Sequence, residues 1–162
     1  MERLWSPWRH AYISQATTSK SNSSACIFCD AQRSANDEHS LVVHRGTFNF
    51  VILNRYPYIS GHLMIAPYDH LAELDSAPKE TTDELMDLAK RCQTALRNAY
   101  NPEGFNVGMN LGRVAGAGVA DHFHLHMMPR WGGDTNFMTT VGETRVLSED
   151  LNTTYQKLRD KI

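Results

Sequence analysis

The chain has 162 residues, 41% hydrophobic and 21% charged, a balance that excludes a disordered or fibrous polymer and suits one ordinary domain with its own core. Its formal net charge of −2 supplies no bulk positive field for nucleic acid, so recognition of phosphate must be local. Three cysteines do not make a secreted disulfide framework, and the opening MERLWSPWRHAYI holds no uninterrupted apolar run. The expectation is a cytoplasmic protein with neither a nucleic-acid nor a membrane partner.

Residues 1–25 read as an aromatic arm carrying Trp5, Trp8 and Tyr12, followed by the Ser/Thr-rich linker SQATTSKSNSSA; residues 26–162 read as a single domain. Cys26-Ile-Phe-Cys29 has the spacing of a zinc knuckle, a redox pair or two buried thiols. A redox pair usually opens a helix within a βαβ unit, a context not seen here. The stretch 41–54, LVVHRGTFNFVILN, predicts two short strands around Gly46. After the turn-rich NRYPYISG, the segment HLMIAP from His62 predicts a third.

A helix is predicted after Pro78, because Leu85, Leu88, Ala89, Cys92, Ala95, Leu96 and Ala99 recur at spacings of three and four. It must end near Asn101-Pro102, since proline cannot continue it. Cys92 falls on its core face and reads as an inert small hydrophobe. Phe105–Asn110 alternates as a strand, LGRVAGAGVAD reads as a glycine-rich loop, and Ser148–Asp160 reads as a final amphipathic helix capped by Ser148. The order predicts an α+β fold with a mainly antiparallel sheet of about five strands, one long helix and a C-terminal helix.

The chemistry concentrates in His122-Phe123-His124-Leu125-His126-Met127-Met128. Read as a strand, this run puts three imidazoles on one face and Phe123, Leu125 and Met127 on the other. Clustered rings disfavour one another's protonation, so the arrangement points to shared work. Imidazole serves as nucleophile, acid/base or metal ligand near neutral pH. Surface histidines and a zinc-binding triad are the competing readings. The glycines of the preceding loop allow amide donors to approach phosphate, and Arg130 follows as a source of charge.

HFHLHMM followed by Pro129-Arg130 resembles the signature of the histidine-triad family, and LNRYPYISGHLMIAPYDH and CIFC resemble its upstream segments. ERLWSPWR, NLGRVAGAG, PRWGGDTNFM and TRVL extend the similarity to the bacterial branch that contains diadenosine tetraphosphate phosphorylases. The resemblance implies a histidine-triad fold whose sheet continues across a homodimer. It implies that His124 attacks the α-phosphate of an adenine nucleotide or dinucleoside polyphosphate, and that water or inorganic phosphate resolves the nucleotidyl-histidine. By the same resemblance His126 and His62 hydrogen-bond the α-phosphate oxygens, Asn54 contacts ribose, and the loop from Asn110 to Gly118 lines the phosphate path. His70 and His122 would complete a structural zinc site with Cys26 and Cys29.

Trp131 reads either as a packing residue or as a wall of the phosphate or base pocket, and Leu53 and Ile52 as the apolar base slot. Family hydrolases often carry glutamine four residues before the first histidine. Gly118 stands there in this chain, a departure that favours phosphate over water as acceptor. A nucleoside phosphoramidase and a non-catalytic nucleotide-binding protein are the alternatives.

Overall fold

A computed structural model describes residues 26–136, 139, 141 and 146–162 of the chain, so the aromatic arm and linker lie outside the described residues. Five strands form one antiparallel sheet: β1 (Val42–Arg45), β2 (Asn49–Leu53), β3 (Leu63–Pro67), β4 (Gly104–Met109) and β5 (Leu125–Arg130). Their spatial order is β1-β2-β3-β5-β4, which leaves β4 at one edge. The helices are α1 (Ile27–Arg33), α2 (Asp37–Ser40), α3 (Lys79–Tyr100) and α4 (Leu151–Leu158).

Side-chain alternation divides the sheet into two faces. On one, Val51, Leu53, Leu63, Ile65, Leu125 and Met127 bury against Leu85, Leu88, Cys92 and Leu96 of α3 and Leu158 of α4. On the other, Val42, Phe50, Ile52, Met64 and Ala66 pack beneath Phe28 and Ala31 of α1. The helix predicted after Pro78 is α3, and it stops where expected: Asn101 takes the left-handed conformation (φ 46°) just before Pro102.

Two expectations need correction. The strand read over His122–Met128 pairs only from Leu125 onward, where Leu125, His126 and Met127 face Ile65, Met64 and Leu63. Upstream, Pro67 closes β3 without an N–H to donate, and the backbone N–H of Phe123 bonds instead to Leu71 O at 2.7 Å. The last helix is shorter than predicted, and its cap is Asp150, whose side chain accepts from Thr153 N. Ser148 instead meets the Ser60 hydroxyl at 3.3 Å.

Helices α1 and α2 were not foreseen. They are held by tertiary contacts rather than by propensity. The Arg45 guanidinium donates to the carbonyls of Gln32 and Ser34 and to the Asp37 carboxylate, binding the end of α1 to the start of α2. Gly61 delivers the chain into β3: its φ is +80°, and an added Cβ would stand 3.1–3.2 Å from Leu96, Pro129 and Tyr100.

Candidate active site and adjoining metal centre

The register that places Met64 opposite His126 puts that imidazole on the face covered by α1, and His122 and His124 precede it on the same side. The rings of His124 and His126 lie 4.7 Å apart, nearly perpendicular, and those of His62 and His126 lie 5.1 Å apart. Sequence spacing thus located a real cluster, although only His126 belongs to the ladder.

Hydrogen bonds fix the proton on each ring. His124 Nδ1 lies 3.0 Å from the carbonyl oxygen of His122, and a carbonyl only accepts, so Nδ1 is the protonated nitrogen and Nε2 keeps its lone pair. Burial lowers the pKa of His124, partly offset by that carbonyl. The ring is therefore neutral near pH 7, with a nucleophilic Nε2.

A second chain of bonds sets His126. The backbone N–H of Tyr58 donates to His62 Nδ1 at 3.2 Å, which leaves the proton of His62 on Nε2. That N–H donates to His126 Nδ1 at 2.9 Å, so His126 carries its own proton on Nε2. Burial, followed by the neighbouring His126 and His124, lowers the His62 pKa to about 3. A neutral His62 is what the relay needs, because a protonated ring would lose the bond from Tyr58. Both nitrogens of His62 are thus engaged within the protein, and the ring is 1% exposed. Its Nε2–H is directed at His126 Nδ1.

Other expected site residues fall as follows. Leu53 is buried in the core beneath α3, on the opposite face from the histidines; Ile52, in line with Met64 and His126, lies on the site face. Leu53 thus points away from the histidines, a consequence of the two-residue period of β2. The Asn54 side chain accepts from Tyr56 N at 2.9 Å and approaches His62 Nδ1 at 3.4 Å, which ties the NRYPYISG loop to the relay. Asn110 is half-buried where β4 enters the glycine loop, and Gly118 is exposed near the loop's end. Trp131 meets the Tyr100 ring edge-on at 6.4 Å. Arg130 is committed to Asp134 and Asn106, so it supplies no uncommitted charge to the site.

Cys26, Cys29, His70 and His122 bring four ligand atoms within 4.8 Å of one another. Sγ of Cys26 lies 3.3 Å from His122 Nδ1, and Sγ of Cys29 lies 3.3 Å from His70 Nδ1 and 3.8 Å from His122 Nδ1. A tetrahedral ion with ordinary sulfur and nitrogen bonds requires S···N edges of about 3.5 Å, so the donor set fits a metal ion. His122 Nε2 donates to Pro67 O at 2.9 Å, which aims the Nδ1 lone pair at the thiols. Sequence reasoning did not foresee the part played by Phe28, between the two cysteines. Its ring lies 5.1 Å from that of His122 and 4.7 Å from that of His124.

Comparison with known proteins agrees with this geometry. AP-4-A phosphorylase from Mycobacterium tuberculosis is 40% identical over 98% of this chain and 83% of its own length. Adenosine 5'-monophosphoramidase from Saccharomyces cerevisiae is 33% identical over 65% of this chain and 63% of its own. Among solved structures, a Zn-bound histidine triad family protein from Mycobacterium smegmatis superposes with a TM-score of 0.67 at 26% identity. That match covers 83% of this chain and 91% of the other. The HIT domain model matches residues 33–133, a span that runs from the end of α1 through all five strands and the three clustered histidines, and the chain belongs to the HIT family.

Proposed function

We propose that the protein is a dinucleoside polyphosphate phosphorylase that works through a nucleotidyl-His124 intermediate. The carrying observation is the tautomer pattern: a buried, neutral His124 with its lone pair at Nε2 beside a His126 that carries its proton on Nε2. The 40% identity to AP-4-A phosphorylase supports the substrate class.

In the first step His124 Nε2 forms a bond to the α-phosphorus, and the bond from phosphorus to the bridging oxygen breaks. The polyphosphate portion departs with that electron pair. His124 retains its Nδ1 proton and becomes a phosphorylated imidazolium. His126 Nε2–H donates to an oxygen of the α-phosphate, where negative charge accumulates, and His62 holds it there. In the second step a phosphate oxygen attacks phosphorus, the N–P bond breaks, and the electron pair returns to Nε2. Gly118, in place of a glutamine that would contact the bridge or the attacking water, leaves room for the larger nucleophile.

Asn54 and the Asn110–Gly118 loop line the nucleotide and phosphate path, and Trp131 borders it. Cys26, Cys29, His70 and His122 hold a structural zinc, which cross-links α1 to the segment that carries His124. Reduced thiol ligands suit the cytoplasm. Residues 26–162 form one domain, and two copies pair through edge strand β4, where Val107 is half-exposed.

The test is product analysis with diadenosine tetraphosphate, with and without inorganic phosphate. ADP plus ATP formed only with phosphate is the expected result. AMP plus ATP in either condition makes the protein an asymmetric hydrolase. Turnover confined to adenosine phosphoramidate assigns it the activity named for the yeast relative.

A further inference from the structure

Phe28 touches the nucleophile, yet nothing in the two-step reaction uses it. Its side chain is 1% exposed, buried beneath the site face of the sheet. Its ring is tilted 40° to that of His124 at a centroid distance of 4.7 Å, while His126 meets His124 from another direction at 73°. The Nδ1–H bond to the His122 carbonyl fixes one point of the His124 ring but leaves a tilt about that bond. Contact with Phe28 limits the tilt, and with it the direction in which Nε2 points.

The same contact has an electrostatic side. When Nε2 bonds to phosphorus, the His124 ring acquires a formal positive charge while keeping its Nδ1 proton. That proton faces a neutral carbonyl, and among the described residues no carboxylate hydrogen-bonds the ring. An aromatic ring attracts a cation held over its face within about 6 Å of its centroid, and the attraction strengthens where water is excluded. Phe28 lies within that distance of the His124 ring and is itself buried.

We infer that Phe28 is a positioning residue for His124 and that its π system stabilises the charge arising on the imidazole as the N–P bond forms. This rests on His124 being the nucleophile. The position of Phe28 follows from the motif: Cys26 is the residue that precedes α1 and Cys29 lies in its first turn, so the segment that supplies two of the candidate metal ligands also sets the ring against the nucleophile. Phe28 deepens the role of the CIFC segment from anchoring the chain to assisting the chemistry.

The test replaces Phe28 with phenylalanines carrying one, two and three ring fluorines, which preserve shape while progressively weakening the negative face. The readout is the single-turnover rate of nucleotidyl-enzyme formation from diadenosine tetraphosphate, with enzyme in excess. A stepwise fall along the series is expected, together with a 5- to 30-fold loss in Phe28→Leu, the range that about 1–2 kcal/mol of cation–π energy produces. Melting temperature and bound zinc should stay constant across the fluorinated set.

A rate independent of fluorination, or a change confined to KM with the single-turnover rate intact, overturns the inference. The second outcome would make Phe28 a wall of the substrate pocket. His124→Ala separates the two readings. A labelled enzyme in that variant would remove the nucleophile assignment itself, whereas an inert His124→Ala with a flat fluorine series removes only the role of Phe28.

Discussion

With His62 replaced by alanine, His126 Nδ1 loses the N–H it accepts, and the proton of His126 is free to move to either nitrogen. The face that should donate to phosphate is then occupied by a lone pair for part of the time. We expect kcat to fall about 100-fold or more, the order seen when one donor to a developing oxyanion is removed, with KM changing far less. His62→Gln keeps an N–H donor near Nδ1 and should recover part of the loss in steady-state assays.

The same residue makes stability depend on pH. His62 titrates near 3 in the fold and near 6.5 when unfolded, so between those values the unfolded chain binds more protons. Stability should therefore rise as pH climbs from 3 to 6.5 and level off above it. Glu84 acts in the same direction at lower pH. Burial pushes its carboxyl up, but bonds from Asn49, Thr47 and Phe48 outweigh burial and hold it below 4.5. Urea titrations at pH 4.5 and 7 should give a lower midpoint at the acid value; equal midpoints would contradict the assignment. The clustering of the histidines on one face was legible in their alternation. The tautomers were not, because they depend on the His122 carbonyl and the Tyr58 amide, which only the folded chain brings to those rings.

At the scale of elements, α3 and its end were readable because 22 residues repeat a helical period and a proline follows. Helix α1 spans seven residues, too few for periodicity, and Arg45 reaches it from β1. The start of β5 was misread for a related reason: an alternating pattern shows which side chains share a face, but not where a neighbouring strand stops offering hydrogen bonds. Pro67 sets that limit. Metal removal should act on this part of the molecule. Burial raises the Cys26 thiol above its ordinary pKa, so without a metal it stays protonated beside His122. Dialysis against a strong chelator, or Cys29→Ser, should lower the melting temperature and slow nucleotidyl-enzyme formation, followed by scanning calorimetry and metal analysis. An unchanged melting temperature after verified metal loss would refute the structural role.

For the whole molecule, the sheet is closed unevenly. The α2 segment precedes and packs on β1, whereas β4 lies at the other edge with Val107 49% exposed. An uncovered edge invites pairing with another chain, and a charge there discourages it. Val107→Lys should convert the proposed dimer to a monomer in light scattering; a wild-type protein that is already monomeric would dismiss the shared sheet. Among the described residues no helix is long and apolar enough to cross a membrane.

The late start of β5 carries one more consequence. His122–His124 lie outside the ladder, and the Phe123 amide is held by Leu71 O rather than by a strand partner. That single amide proton can exchange with solvent through local opening of a few residues, without unfolding the sheet. The amides of Leu63 and Ile65, inside β3, should exchange far more slowly. A nucleotide analogue that docks on His124 should slow exchange at Phe123 first, making one backbone hydrogen a gauge of occupancy in an otherwise silent core.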